Sequence, residues 1–205
     1  MTQAELIPTS LDEETARAEV YGLLAALYYA APSAELHDNL RVAVTEAPAA
    51  GAVLESSWAE LVAAAREQSL ADISNEYDAL FGGVGKPEVY LFGSHYLSGF
   101  LNEKPLVALR TDIAALGLAR DESMPETEDH VAYLCEVMRY LIAGDDVAVA
   151  NLTRQREFFT CHAQPWLPMM CDAIIAHPQA RFYRALAAFT QTFVSVESQG
   201  FDMLT

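Results

Sequence analysis

Apolar residues recur along this chain three and four positions apart and almost nowhere alternate. Val20, Leu23, Leu24, Leu27 and Tyr28 share one face of a helix; so do Val131, Leu134, Cys135, Met138, Leu141 and Ile142, and again Phe182, Leu186, Phe189 and Phe193. Stripes of that period can be buried only helix against helix, so the expected fold class is all-α. With 52% of its 205 residues apolar, the chain can fill one core, and a single domain over residues 1–205 is expected, with 1–9 loosely held. Breaks and caps place nine to ten helices near 11–30, 34–46, 57–68, 70–81, 92–101, 104–116, 127–143, 147–162, 166–176 and 179–198. Ser10 with Glu13 has the form of a capping box, Ser33 and Ser57 are candidate N-caps, and Ala47 to Gly51 reads as a short connection.

Two interruptions cannot continue a helix: Gly82-Gly83-Val84-Gly85-Lys86-Pro87, and the polar stretch from Gly117 to Pro125. The loops at 82–91 and 117–126 are therefore the first places to look for function. The glycine-rich run is a poor phosphate loop. Its glycine spacing is wrong, Pro87 stands where a magnesium-holding Ser or Thr belongs, and a helix rather than a strand precedes it. Cys161, His162, Cys171 and His177 are four soft-ligand side chains, but adjacent residues on an α-helix point about 100° apart. Their spacing is not that of a paired zinc site, so the cysteines are read as small core residues and no metal is expected.

Charge narrows the partners. The 12 Lys and Arg face 29 Asp and Glu, a formal net charge of −17, which repels nucleic acid and anionic membranes and favours a basic peptide. Six acids and no Lys or Arg lie between residues 121 and 136: Asp121, Glu122, Glu126, Glu128, Asp129 and Glu136. Acids in a first helical turn suit the macrodipole, but His130 does not, so a neighbouring carboxylate is expected to hold it there. A second cluster is aromatic: Tyr77, Leu80 and Phe81 before the glycine-rich break, Tyr90, Phe92 and Tyr96 after it. At helical spacing such residues are usually core; beside a mobile turn and an acidic segment they could instead border a groove for an apolar helix with flanking cations. No apolar window is long enough for a membrane span, Met1 to Glu14 is acidic rather than signal-like, and three cysteines suit reduced thiols, so a cytoplasmic location is expected.

Glu76-Tyr77-x-x-Leu80-Phe81, Ser94-x-Tyr96, Glu126-x-x-Asp129-His130, Phe158-Phe159 and His162-x-x-Pro165-Trp166 stand in the order found in the TorD/DmsD family of redox-enzyme maturation chaperones, which this chain resembles over residues 76 to 166. The resemblance implies a non-enzymatic, all-helical chaperone without a cofactor. Its partner would be the twin-arginine leader, or the precursor, of a molybdenum- or tungsten-cofactor oxidoreductase, held until the cofactor is inserted. The family signature Glu-Pro-x-Asp-His reads Glu126-Thr127-Glu128-Asp129-His130 here, so the proline is missing and Thr127 becomes a candidate helix cap. Carried over position by position, Tyr77, Leu80, Phe81, Phe92, Ser94, Tyr96, Glu126, Asp129 and His130 are the implied signal-peptide-binding residues. Leu97 to Arg110 looks most like the subgroup associated with formate dehydrogenases. Family members occur as monomers and as domain-swapped dimers, and the glycine-rich break could serve as the hinge. Guanine nucleotide is not carried over, since there is no phosphate loop to hold it.

Energetically, apolar burial at Leu80, Phe81 and Phe92 would supply affinity, at about 1.5–3 kcal/mol per large side chain before ordering costs. The acids would steer and orient, with Asp129 either orienting His130 or receiving an arginine. Two rival readings stand beside this one: a NarJ-like assembly factor for a nitrate reductase-type subunit that is not exported, and a metal- or nucleotide-dependent hydrolase.

Overall fold

The computed structural model describes residues 9–45, 53–82, 86–101, 104–120 and 124–203. Expectations for residues 1–8, the side chain of Ser10, the 47–51 connection, Gly83 to Gly85 and the acids Asp121 and Glu122 lie outside the described residues. The helices are α1 (Thr9–Tyr29), α2 (Ala34–Val42), α3 (Glu55–Glu67), α4 (Leu70–Leu80), α5 (Gly93–Ser98), α6 (Lys104–Ala115), α7 (Val131–Ala143), α8 (Leu152–Phe158), α9 (Leu167–Ala176) and α10 (Phe182–Asp202). Helix α8 runs directly into a π-helical turn, Phe159–Ala163. Among the described residues extended pairing is confined to one antiparallel bridge between Phe92 and His130, so the fold is all-α.

Local chemistry explains most helix ends. Ser33 accepts a hydrogen bond from the Leu36 amide at 3.1 Å, Ser69 one from Asp72 at 3.2 Å, and Asn151 one from Arg154 at 3.1 Å, each satisfying an amide that the first helical turn leaves unpaired. Ser57 is not a cap: α3 starts at Glu55, and the Ser57 hydroxyl lies buried, donating to the Leu54 carbonyl at 3.2 Å. Gly117 ends α6 with a φ of +74°, a left-handed geometry that costs glycine little and lets the Leu118 amide reach back to the Ile113 carbonyl at 3.1 Å.

The start of α10 is capped from another helix. Residues 179–181, expected to be helical, are not, because the buried carboxylate of Glu76 on α4 collects the amides of Arg181 (2.8 Å), Phe182 (3.1 Å) and Tyr183 (2.8 Å). Those are the first-turn amides that a local Ser or Asp would usually serve one at a time.

Helix α7 runs through the middle of the core, with Val131, Leu134, Cys135, Met138, Leu141 and Ile142 all buried as their spacing predicts. Helix α1 lies along it, and α10 packs on α3 and α9. A buried polar network ties the first helix to the last. Arg17 donates to both carboxylate oxygens of Glu197 at 2.7 and 2.9 Å and to Gln155 at 3.1 Å, and the Tyr21 hydroxyl adds a 2.9 Å bond to Glu197. Buried charge is costly unless it is paired and hydrogen-bonded in this way. No helix among the described residues is long and apolar enough to cross a membrane.

Candidate functional site

Eight of the nine nominated residues fall into two groups, and Tyr96 packs on Trp166. On the first, Tyr77, Leu80 and Phe81 close the end of α4. The Tyr77 hydroxyl donates to the carbonyls of Tyr28 (3.2 Å) and Tyr29 (2.7 Å), and its ring meets Phe81 edge-on at 5.3 Å. Phe81 is half-buried and meets Tyr183 edge-on at 5.0 Å. Leu80 is fully buried, so it shapes this wall from behind and offers no surface to a ligand. Half-buried Glu126 is near enough that its charge adds to burial in pushing the Tyr77 phenol up to about 12.

The second group is a clamp. Leu91 and Phe92 run extended against residues 129–131: the Gly93 amide donates to the Asp129 carbonyl, and the Val131 amide to the Leu91 carbonyl, both at 2.9 Å. The backbone that leaves the 82–91 loop is thereby fixed to the backbone that enters α7. Asp129 is buried and fully occupied. One carboxylate oxygen accepts from the Ser94 amide (2.9 Å) and hydroxyl (2.5 Å), and the other from the Thr127 hydroxyl (2.6 Å). It thus serves α5 as Glu76 serves α10.

His130 is not held by a carboxylate, contrary to the expectation from the sequence. It is the N-cap of α7, its Nδ1 accepting the Ala132 amide at 3.2 Å while Phe92 packs edge-on against the ring at 5.0 Å. Accepting at Nδ1 requires an unprotonated nitrogen, and burial, only partly opposed by Asp129, lowers the ring's pKa to about 4. The helix therefore starts at Val131, four residues later than the spacing predicts, and Glu126, Glu128 and Asp129 precede it. Thr127 does not cap; its hydroxyl is spent on Asp129.

Three of the acids in the run have partners. Glu128 is paired with Arg110 at 2.9 Å, Glu136 with Arg139 at 2.8 Å, and Asp129 is internal. Burial raises the Glu128 carboxyl, but the Arg110 hydrogen bond and the charges of Arg110 and Arg120 outweigh it and hold the carboxyl below its ordinary value.

Beyond the clamp lies a cavity of about 270 Å³ between α5, α6 and the π turn, lined by Ser94, Leu97, Leu109, Asp129 and Trp166 among others. Of the nine nominated residues, Ser94 and Asp129 line it. Trp166 forms the far wall, stacked on Tyr96 at 5.8 Å and donating to the His162 carbonyl at 2.6 Å, while the Tyr96 hydroxyl bonds the Tyr90 carbonyl at 2.8 Å. Gly93 allows this packing, since a Cβ there would stand 2.9 Å from the indole. A second cavity of about 240 Å³ continues past the π turn toward Leu116 and Phe158, and both cavities are lined by Asp112, Cys161 and His162. Cys161 is exposed, contrary to the expectation of a core thiol, whereas Cys135 and Cys171 are buried. Exposed apolar side chains, Leu97, Phe100, Leu101 and Val107, are spread over α5, α6 and the link between them. No three His, Cys, Asp or Glu side chains converge as a metal site needs among the described residues.

This helical arrangement has known relatives. Residues 47–172, more than half of the chain, match the family described as nitrate reductase delta subunit. The chain belongs to this family, that of the TorD-type chaperones. It is 23% identical over 146 residues to a protein of Vibrio cholerae serotype O1 named chaperone protein TorD, a match covering 68% of this chain and 66% of that protein. It is 22% identical over 141 residues to the chaperone protein TorD of Vibrio parahaemolyticus serotype O3:K6, covering 65% and 66%. The match therefore spans just under two thirds of the length of these relatives. In this TorD-family chain, sequence reasoning missed the cavity-lining Asp112, noted Leu97 and Leu109 only within a subgroup-like segment, and read Cys161 only as a soft-ligand or core residue. The His162 and Trp166 motif was visible, but nothing in its spacing showed a π turn.

The neutral cap gives the TorD-family fold a testable acid sensitivity. Above pH 6.5, His130 is uncharged whether folded or unfolded; between pH 6.5 and about 4 the unfolded chain binds a proton that the folded one refuses. Stability from this group is thus complete at pH 7 and falls as pH drops through that window, by at most about 1.4 kcal/mol per pH unit. His130→Asn keeps a capping side chain without a titrating ring. Urea midpoints at pH 7 and pH 5 should show the wild type losing on the order of 1–2 kcal/mol relative to this variant. A difference that does not change with pH would show that the ring titrates as it does in the unfolded chain.

Proposed function

We propose that this chain is a non-enzymatic maturation chaperone for a redox enzyme, binding the twin-arginine leader of a molybdenum- or tungsten-cofactor oxidoreductase in the cytoplasm until its cofactor is in place. Family membership supports a redox-enzyme client, and the geometry that supports leader binding is the pair of neighbouring cavities beside α5 and α6. Their walls are mostly apolar, and exposed Leu97 stands on one of them, as suits an apolar peptide segment. Leu80 and His130, being buried, act by shaping the wall and capping α7. Ser94 and Asp129 line the first cavity, Tyr96 backs its Trp166 wall and Phe92 packs on His130, whereas Tyr77 and Phe81 line neither cavity.

A synthetic leader peptide should bind with micromolar or better affinity. Leu97→Ser removes about one leucine's worth of burial and should weaken binding about tenfold, with the melting temperature unchanged because Leu97 is exposed. Isothermal titration reads both. The likeness of residues 97–110 to the formate dehydrogenase-associated subgroup makes such a leader the first to try.

The description of the matched family favours a second reading, an assembly factor acting on a nitrate reductase-type subunit that is never exported. Co-purification with a client lacking its leader, together with failure to bind any leader peptide, would select it.

A further inference from the structure

Resting on the leader-binding reading, a question of charge remains open. A leader brings arginines, yet several of the carboxylates near the groove already have partners within the protein. Asp129 is saturated by Ser94 and Thr127, Glu128 is paired with Arg110, and Glu157, at the second cavity, is held by Arg154 at 3.1 Å.

One carboxylate on the cavity walls has neither a Lys or Arg partner nor both of its oxygens engaged among the described residues. Asp112, on α6, lines both cavities at their junction, and its side chain is 56% exposed. Oδ2 accepts from Nε2 of His162 at 2.7 Å, and Oδ1 has no partner among the described residues. His162 is itself held. Its side chain is mostly buried, Phe158 packs against the ring at 5.1 Å, and its carbonyl takes the Trp166 indole bond. The π turn makes this possible. The Gln164 amide reaches five residues back to the Phe159 carbonyl at 2.9 Å, and the widened turn lets Cys161 and His162 line the same two cavities, which neighbours on an α-helix do poorly.

We propose that Asp112, oriented by His162, is the point where the groove receives a guanidinium from an otherwise apolar peptide, the flanking apolar residues entering the cavities on either side. Asp112 lines the groove with a side chain held by its neighbour, which lowers the ordering cost that makes most exposed ion pairs ineffective. His162 is a positioning residue. Asp112 contacts the ligand.

The test compares two leader peptides, one with both arginines and one with citrulline in their place, against wild type, Asp112→Asn and His162→Gln, by fluorescence anisotropy. Asp112→Asn should weaken the arginine peptide three- to tenfold at low salt, leave the citrulline peptide unchanged, and lose most of its effect in 0.5 M salt. His162→Gln should give the same pattern at smaller amplitude. Cys161 supplies a second reading that needs no variant, because a bound peptide should slow its reaction with a maleimide several-fold while Cys135 and Cys171 stay buried. Equal affinities of wild type and Asp112→Asn for an arginine peptide that binds, or unchanged Cys161 labelling in its presence, would overturn this assignment and leave leader binding standing. Failure of every leader to bind the wild type would overturn both.

Discussion

Glu76→Ala is expected to lower the stability of the fold by about 3–5 kcal/mol, the largest effect of any single substitution considered. The truncation strands the amides of Phe182 and Tyr183 in the interior, each unmet donor costing about 1–3 kcal/mol, and removes a negative charge from the positive end of a 21-residue helix. The Arg181 amide loses its partner nearer the surface. For a domain of this size the melting temperature should fall by roughly 10 °C or more. Glu76→Gln keeps the shape and one acceptor oxygen while turning an NH₂ toward backbone donors, so it should sit between alanine and wild type. Urea unfolding of the three proteins, with unchanged m-values, checks the order; an alanine variant within 1 kcal/mol of wild type would show that another acceptor takes over the cap.

The second large effect belongs to Asp129. Asp129→Ala should cost about 2–4 kcal/mol, because the buried Ser94 amide and hydroxyl and the Thr127 hydroxyl lose their common acceptor. Loosening α5 displaces Gly93 and the Trp166 wall, so leader affinity should fall with it. Asp129→Asn separates structure from charge. Its oxygen can accept from Ser94 and its NH₂ can donate to the Thr127 oxygen, so both stability and leader affinity should stay near wild type. If Asp129→Asn melts like wild type but binds the leader as poorly as the alanine variant, the carboxylate itself meets the ligand, and the buried clamp must open to admit it.

The helices were legible because each is announced by its own residues. The α7 stripe and the Phe182, Leu186, Phe189, Phe193 series are buried as spaced, and a glycine or a capping side chain marks many ends. What could not be read depends on residues far apart in the chain. The start of α10 is set by Glu76, more than a hundred positions upstream. The start of α7 is set by the bridge to Phe92, which fixes His130 in an extended conformation as a cap.

The candidate site divides in the same way. The structure brings Ser94, Asp129 and His130 together, but Asp129, expected to orient His130 or receive an arginine, caps α5 from another segment, and His130 is a neutral cap of α7. The acidic run misled because composition counts charges without their partners, and Arg110 lies eighteen residues from Glu128. Asp112 and Cys161 carried no signal, since only the π turn brings them to a shared wall.

The borrowed cap also bears on how the protein is made. Until residues 181–183 have emerged from the ribosome, Glu76 has no amides to collect, and until Glu197 follows, neither does Arg17 have its carboxylate. Contacts of such long sequence separation close late. The nascent chain therefore exposes its groove-forming middle before its ends can lock around it, and a chaperone built this way is expected to need its own final helix before it can hold a client.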